Sequence, residues 1–325
     1  MGCNLDLSVS RMVPVNLTGM VLRFERTSMY DGDGLRTVVY LKGCPLQCEW
    51  CSTPESINPE PEIGYDLTSC TECHTCVEVC PENALKSLHK GEGILLRNER
   101  CTACFRCIES CPTGALKAYG KKMNVEDVLG EIEKDEVFFF HSNGGVTLSG
   151  GEPLQQADFC REILKGCKQR GINTAMETSS FAPWDRYEEN LPLLDTVYTD
   201  IKCFDSGRHE ELTGVPNEAI LENIKRIDAS VYNVELVIRI PLVPGRNDSY
   251  ENLEKTLEFC NNLKKIRYLE LLPYHRFGVD TYGFLGLPYV LKGLDSASVA
   301  WAEEKAEALR KTGTALPIRV SGNEK

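Results

Sequence analysis

The chain has 325 residues, enough for one large α/β domain plus a small module. Its formal net charge of -12 and isoelectric point near 5.1 exclude a general affinity for nucleic acid or anionic lipid. No run reaches the roughly 18 apolar residues of a membrane span. Residues 1–20 hold no apolar leader core, and Asp6 stands where a myristoylation signal wants Ser or Thr, so a cytoplasmic location is expected.

Sixteen cysteines are the outlying feature, and in a reducing compartment they point to metal or redox chemistry. Eleven fall in three tight groups between Cys44 and Cys111; Cys3, Cys160, Cys167, Cys203 and Cys260 are scattered singly and require no functional account.

In chain order, a β-type run at 35–41 leads into the first group, Cys44, Cys48 and Cys51, spaced C-x3-C-x2-C with no fourth cysteine nearby. Three thiolates leave one iron of a cubane open, and an open iron can take a chelating ligand. A zinc site completed from a distance is weakened by the lack of histidine in this segment. The nearest, His74, is read as a surface residue.

The next groups are Cys70, Cys73, Cys76, Cys80 before Pro81, and Cys101, Cys104, Cys107, Cys111 before Pro112. Each reads C-x2-C-x2-C-x3-C-P, the two-cluster ferredoxin spacing, in which the fourth cysteine ligates the other cluster. The assignment is therefore Cys70, Cys73, Cys76 and Cys111 for one [4Fe-4S] cluster and Cys101, Cys104, Cys107 and Cys80 for the second. Zinc also takes C-x2-C pairs but does not call for a duplicated four-Cys-Pro run. Residues 58–118 interrupt the β/α alternation as an inserted ferredoxin-like domain. They divide the chain into 1–57 (N-terminal segment and first unit), 58–118 (insert) and 119–325 (the remaining units and C-terminal segment).

After the insert, Asn124 is positioned to cap a helix carrying Val125, Val128, Leu129 and Ile132. Runs at 146–148, 172–176, 196–201, 234–240 and 266–272 then alternate with helical stretches, and a late strand is placed at 317–320. On the helix between the first two, Phe159, Cys160, Ile163, Leu164 and Cys167 share one face, making both cysteines core residues. With 35–41 this gives an α/β fold, a partial (β/α)6 TIM-type barrel. Chemistry then gathers at the C-terminal strand ends. These carry Cys44, Cys48 and Cys51; Ser149 to Pro153; Glu177-Thr178-Ser179; Asp200-Ile201-Lys202; Arg239 and Pro241; and Pro273-Tyr274-His275. Taken singly, Gly150-Gly151 reads as a turn and Asp200 with Lys202 as a buried ion pair. Together they suggest glycines that let backbone approach a ligand and Glu152 receiving its ammonium group.

At these residues the sequence resembles the radical S-adenosylmethionine superfamily, and within it the glycyl radical enzyme activating enzymes. The resemblance spans 20–275 and is carried by Tyr30-Asp31-Gly32-Asp33-Gly34-Leu35-Arg36-Thr37, Leu41-Lys42-Gly43 through Ser56, Gly150 to Pro153, Asp200 to Lys202, and Leu271 to His275. It implies that Cys44, Cys48 and Cys51 hold the catalytic cluster, three [4Fe-4S] clusters in all, and that this cluster binds S-adenosylmethionine. Gly150, Gly151 and Glu152 would engage its amino end, with Thr178, Asp200, Lys202, Arg239 and His275 as further contacts. Glu177-Thr178 stands where relatives have an Asp-Thr pair near a monovalent cation.

Two positions depart from the family pattern. Asp33 replaces a proline, which loosens the leader loop, and Ser52-Thr53 replaces His-Asn, which removes any contact from an Asn there.

The implied reaction is reductive cleavage of S-adenosylmethionine to a 5'-deoxyadenosyl radical, which takes hydrogen from a glycine of a partner glycyl radical enzyme. An external reductant such as flavodoxin or ferredoxin would feed the insert clusters, whose alternative role is structure or docking. A monomer with no nucleic-acid or membrane partner is expected. The run Thr174-Ala175-Met176-Glu177-Thr178-Ser179-Ser180 leans toward activators of arylacetate decarboxylases and hydrocarbon-succinate synthases. The competing readings are a radical enzyme acting on a small molecule or another peptide residue, and a cluster-based electron-transfer protein. The latter leaves the open-iron triad without purpose.

Overall fold

The computed structural model describes residues 17–89, 92–96 and 98–322; Cys3 and the leader reading of the N-terminus lie outside the described residues. Strands β1 (Thr18–Ser28) and β2 (Arg36–Leu41) form an antiparallel pair. The insert follows: β3 (Glu62–Tyr65), α1 (Thr75–Glu78), β4 (Leu85–Ser87), β5 (Ile94–Leu96), α2 (Arg106–Glu109) and β6 (Leu116–Tyr119). β7 (Lys121–Asn124) returns to β1, and α3 (Val125–Glu133) and α4 (Glu136–Ser142) lead to β8 (Gly145–Gly150).

Next come α5 (Ala157–Gln169), β9 (Asn173–Thr178), α6 (Trp184–Asn190), β10 (Thr196–Asp200), α7 (Ser206–Thr213) and α8 (Glu218–Ala229). β11 (Glu235–Leu242), α9 (Tyr250–Asn261), β12 (Ile266–Pro273), α10 (Val279–Phe284), α11 (Val299–Arg310) and β13 (Ile318–Val320) complete the chain.

The main sheet has nine strands in the order β13-β12-β11-β10-β9-β8-β2-β1-β7. Every pair from β2 to β13 is parallel, and β1 and β7 add antiparallel strands at one edge. The expected parallel strands are all present. The sequence reading missed β1, in which exposed Arg23, Glu25 and Thr27 alternate with half-buried Leu22, Phe24 and Arg26. It also missed β7, whose Lys-Lys-Met-Asn lacks an apolar period. Among the described residues no helix is long and apolar enough to cross a membrane.

Side-chain parity along each strand separates two faces. Val39, Leu41, Val146, Leu148, Met176, Val197, Ile238, Ile240, Leu269 and Leu271 pack outward against the helices in the main core. Each such aliphatic contributes roughly 1.5–3 kcal/mol by leaving water. Phe159, Cys160, Ile163, Leu164 and Cys167 of α5 are all buried in that core, as their shared face predicts, and the Asn124 side chain accepts from Asp127 N at 2.7 Å as the cap of α3. The opposite parity points to the other face of the sheet, where Ala175, Tyr198, Val237 and Tyr268 form a second small cluster. Polar residues stand beyond it toward the strand ends.

Insert strands β3 with β6 and β4 with β5 form two small antiparallel sheets. Glu62 pairs with Tyr119, so the insert's pairing runs one residue past 118, and Gly120, at φ +99°, turns the chain back into the main sheet.

Candidate active site

A cavity of about 460 Å³ opens at the C-terminal ends of the parallel strands. Cys44, Cys48 and Cys51 line it together with Thr178, Asp200, Lys202, Arg239 and His275. The cysteine loop is held on both sides by backbone bonds: Gly43 N to Ser56 O at 2.7 Å and Cys44 N to Ile57 O at 3.0 Å on one, Gln47 N to Thr213 O at 2.7 Å and Glu49 N to Leu212 O at 3.1 Å on the other. Its cover is apolar, with Trp50, Leu212, Val243, Tyr274, Tyr282, Tyr289 and Leu291 buried around Cys48. Burial pushes the Cys44 and Cys51 thiols up to about 12 and raises Cys48 as well, with Lys202 opposing the last. Thiols held this firmly protonated release their protons to a metal, so loading the site is coupled to proton release.

A ladder of charges crosses the cavity. Lys202 Nζ donates to Asp200 Oδ2 at 2.6 Å, Arg239 Nε to Asp200 Oδ1 at 3.3 Å, Arg239 Nη1 to Glu177 Oε1 at 2.6 Å, and Ser149 Oγ to Glu177 Oε2 at 2.6 Å. Asp200 and Arg239 are register partners, which places them side by side. Burial alone would raise the Asp200 carboxyl, but Lys202 and Arg239 outweigh it and hold it below the usual range. Burial likewise works against the charge of Lys202, and Asp200 with the neighbouring Cys48 reverses this. The ion-pair reading of Asp200 and Lys202 therefore holds, within a larger array that also faces the cluster loop.

Of the expected ligand contacts, Glu152 lies outside the cavity lining, and Thr178, Gly150 and Gly151 line it but also bond or pack within the protein. Glu152 is fully buried and does not line the cavity. Its carboxylate accepts from Leu154 N, Ser179 N, Ser179 Oγ and Thr178 Oγ1, all within 3.1 Å, which anchors the loop after β9. Thr178 has the outward parity of β9. Its hydroxyl proton goes to Glu152, so it accepts from Tyr187 Oη at 2.7 Å and Ser180 N at 3.0 Å and is fully used.

Gly150 and Gly151 serve the protein's own backbone. A Cβ at Gly150, which has φ +115°, would lie 2.3 Å from Leu41 O, and one at Gly151 would lie 2.4 Å from Gly43 O. Only glycine lets the end of β8 press against the cysteine loop, where Gly151 N and Glu152 N donate to Leu41 O and Gly43 O.

His275 stands at the exposed rim, stacked 4.2 Å from the Phe277 ring. Arg239 and Ser149 each engage one oxygen of Glu177. Asp33 is tied rather than loose, its carboxylate 2.6 Å from Arg267 Nη1. Ser52 and Thr53 line the cavity where the family pattern has His-Asn.

A family model for the radical SAM superfamily matches residues 98–260, and one for a 4Fe-4S dicluster domain matches residues 62–112. The (2S)-3-sulfopropanediol dehydratase activating enzyme of Klebsiella oxytoca is 40% identical over 85% of this chain and 88% of its own length. The (2S)-3-sulfopropanediol sulfolyase activating enzyme of Bilophila wadsworthia is 43% identical over 85% of this chain and 92% of its own. The chain belongs to the glycyl radical enzyme activating enzymes of the radical SAM superfamily. In fold alone it is also similar to Streptococcus suis SuiB bound to its precursor peptide SuiA, at TM-score 0.51 and 15% identity, covering 88% of this chain and 48% of that one.

The insert of this family member sorts its eight cysteines into crossed sets. Cys80 lines one small cavity with Cys101, Cys104 and Cys107, and Cys111 lines the other with Cys70, Cys73 and Cys76. Four thiols spread around each cavity fit a multi-atom cluster. His74, expected at the surface, is half-buried, with Nδ1 turned inward and unpartnered.

Ser149 and Ser179, named among the strand-end residues, and Asp31 of the leader motif line the main cavity, as do Tyr40 and Phe277, which the sequence reading passed over. Strand parity was the available signal for two of them, since Tyr40 and Ser149 alternate with outward-facing Val39, Leu41 and Leu148. Asp31 arrives from a loop, with its carbonyl accepting from Thr147 Oγ1 at 2.8 Å, and no period marks such a position.

Proposed function

We propose that the concave sheet is a partial (β/α)6 barrel, that residues 58–119 are a ferredoxin-like insert, and that each performs the part its residues suit. Cys44, Cys48 and Cys51 would hold a [4Fe-4S] cluster with one open iron, and the crossed insert sets two further clusters. When bound, the site cluster and S-adenosylmethionine supply the 5'-deoxyadenosyl radical that takes hydrogen from a glycine of the partner enzyme. Asp200, Lys202 and Arg239 orient the cofactor from the strand ends, Ser179 and the backbone at Gly150 flank it, and His275 with Phe277 covers the mouth. The apolar cover over Cys48 excludes water.

In place of a monovalent cation, Arg239 supplies the positive charge at Glu177. The partner is a glycyl radical enzyme and the electron source an external low-potential carrier. The two relatives at 40% and 43% identity are activators for sulfopropanediol enzymes, and so do not follow the lean of residues 174–180.

What carries this reading is the convergence of the three thiols and the Lys202-Asp200-Arg239-Glu177 ladder on one cavity. The test is anaerobic reconstitution, reduction and addition of S-adenosylmethionine, with iron counted in parallel. About 12 irons per chain are expected, with 5'-deoxyadenosine formation lost in Cys48→Ala. Full iron loading without the nucleoside would leave an electron carrier instead.

A further inference from the structure

The two halves of the insert repeat the same cysteine motif but surround their cavities with different chemistry. At the Cys70, Cys73, Cys76, Cys111 cavity stand Tyr65, His74 and Thr113, with Thr75 beside Cys73. Tyr65 Oη and His74 Nδ1 are both buried and neither makes a well-formed hydrogen bond to the protein, the Tyr65 hydroxyl lying beside Cys70 and the Ile94 backbone. The backbone makes room for the phenol, since a Cβ at Gly93 would fall 2.0 Å from Tyr65 Oη. Thr75 Oγ1 lies 3.5 Å from Cys73 Sγ, and Thr113 Oγ1 lies 3.7 Å from Cys111 Sγ. A nearby Ser87 Oγ, 3.4 Å from His74 Nε2, can donate to it and leave Nδ1 as the proton-bearing nitrogen.

Motif position for position, the other cavity has Phe105 for His74, Arg106 for Thr75 and Glu82 for Thr113. Phe105 has the same left-handed backbone as His74, both at φ 59°, so the two sites share a conformation and differ in side chain. The register position matching Tyr65, opposite Leu85 rather than Leu116, is Leu96. One site thus offers four side-chain groups able to donate toward sulfur. The other offers an apolar ring and a carboxylate at the cavity, with the Arg106 guanidinium in the place of Thr75 but outside the cavity lining.

Hydrogen bonds to cluster or cysteine sulfur stabilise the added electron, and a nearby carboxylate disfavours it. Resting on the reading that the insert holds two [4Fe-4S] clusters, we propose that Tyr65 and His74 make these clusters unequal. They raise the reduction potential of the one held by Cys70, Cys73, Cys76 and Cys111, so that it fills first. Each cluster takes one electron from the external reductant. A singly reduced insert stores its electron on the Tyr65 side, and the cluster at Cys80, Cys101, Cys104 and Cys107 becomes the stronger donor only after the second electron arrives.

The test is a mediated redox titration of the reconstituted full chain by electron paramagnetic resonance. It is run on the wild type and in a Cys44→Ala, Cys48→Ala, Cys51→Ala background where only insert clusters contribute. Two separated one-electron steps are expected. Tyr65→Phe and His74→Phe should each lower the upper step and leave the lower one in place. Phe105→His should raise the lower step. A single unresolved step in the triple-alanine background, or an upper step there unmoved by both variants, overturns the proposal. An iron count short of about 8 in the triple-alanine background overturns the two-cluster reading beneath it as well.

Discussion

The Glu152 carboxylate accepts four donors in a fully buried site, and hydrogen bonds to a charged group are among the stronger terms available to a fold. Glu152→Gln turns an amide N–H2 toward Thr178 and Ser179, which are themselves donors. The expected cost is about 2 kcal/mol of stability, read as a lower denaturation midpoint, with S-adenosylmethionine affinity falling through displaced Ser179. Unchanged stability with binding alone abolished would return Glu152 to the role of ammonium acceptor.

Asp31 carries a pH signature. Burial, and then the facing Glu177, push its carboxyl from 3.8 to about 7. A folded value above the unfolded one means that the folded state binds the proton more tightly. Its contribution is therefore complete below about pH 4 and is lost as pH rises through about 7. Urea midpoints should fall between about pH 6 and about pH 8 in the wild type, and fall less in Asp31→Asn. Equal slopes would show that the carboxyl ionises as it does in the unfolded chain.

At the scale of elements, the end of β8 and the cysteine loop after β2 are one unit because two glycines allow their backbones to meet. Gly151→Ala places a methyl 2.4 Å from Gly43 O and 2.8 Å from Ser56 O, neither of which is a flexible side-chain end. The loop must move, and the three thiols with it. Iron per chain should drop from about 12 toward about 8, with the insert's share retained. Full loading in this variant would mean that the loop relaxes without losing its geometry. The helices were easier to anticipate than these junctions. Asn124 caps α3 through its own side chain, and the buried face of α5 follows from its 3.6-residue period. The junction depends on which carbonyl meets which glycine, and no period encodes that.

At the scale of the molecule, the insert is fastened to the sheet by few groups. Lys42, 1% exposed, donates from Nζ to Glu55 O beside the cysteine loop and to Glu62 Oε2 of β3 at 3.0 Å. On the far side Lys117 Nζ lies 4.0 Å from the centre of the Phe284 ring of α10. Deleting this ammonium leaves the buried Glu55 carbonyl without its donor and Glu62 without its counter-charge, and hydrogen bonds to charged groups are among the stronger ones. Lys42→Met keeps the volume and removes both bonds. Limited proteolysis should then cut several-fold faster in the exposed stretch of Asn58, Pro59 and Glu60, with the main sheet intact. An unchanged cleavage rate would assign the fastening elsewhere.

Cysteine spacing by itself determined the crossed pairing of Cys80 and Cys111, because a tight loop followed by a helical turn leaves the fourth thiol facing the other set. Hydrophobic period determined all seven parallel strands, since a buried parallel strand needs a continuous apolar run whatever surrounds it. Tertiary structure alone decided which polar residues share the cavity. Glu177 and Thr178 are neighbours in sequence, yet pleat parity sends one to Arg239 over the cavity and the other to Glu152 behind the sheet. The same limit applies to Tyr65 and His74: their buried polar atoms acquire meaning only where folding turns both toward the same four thiols.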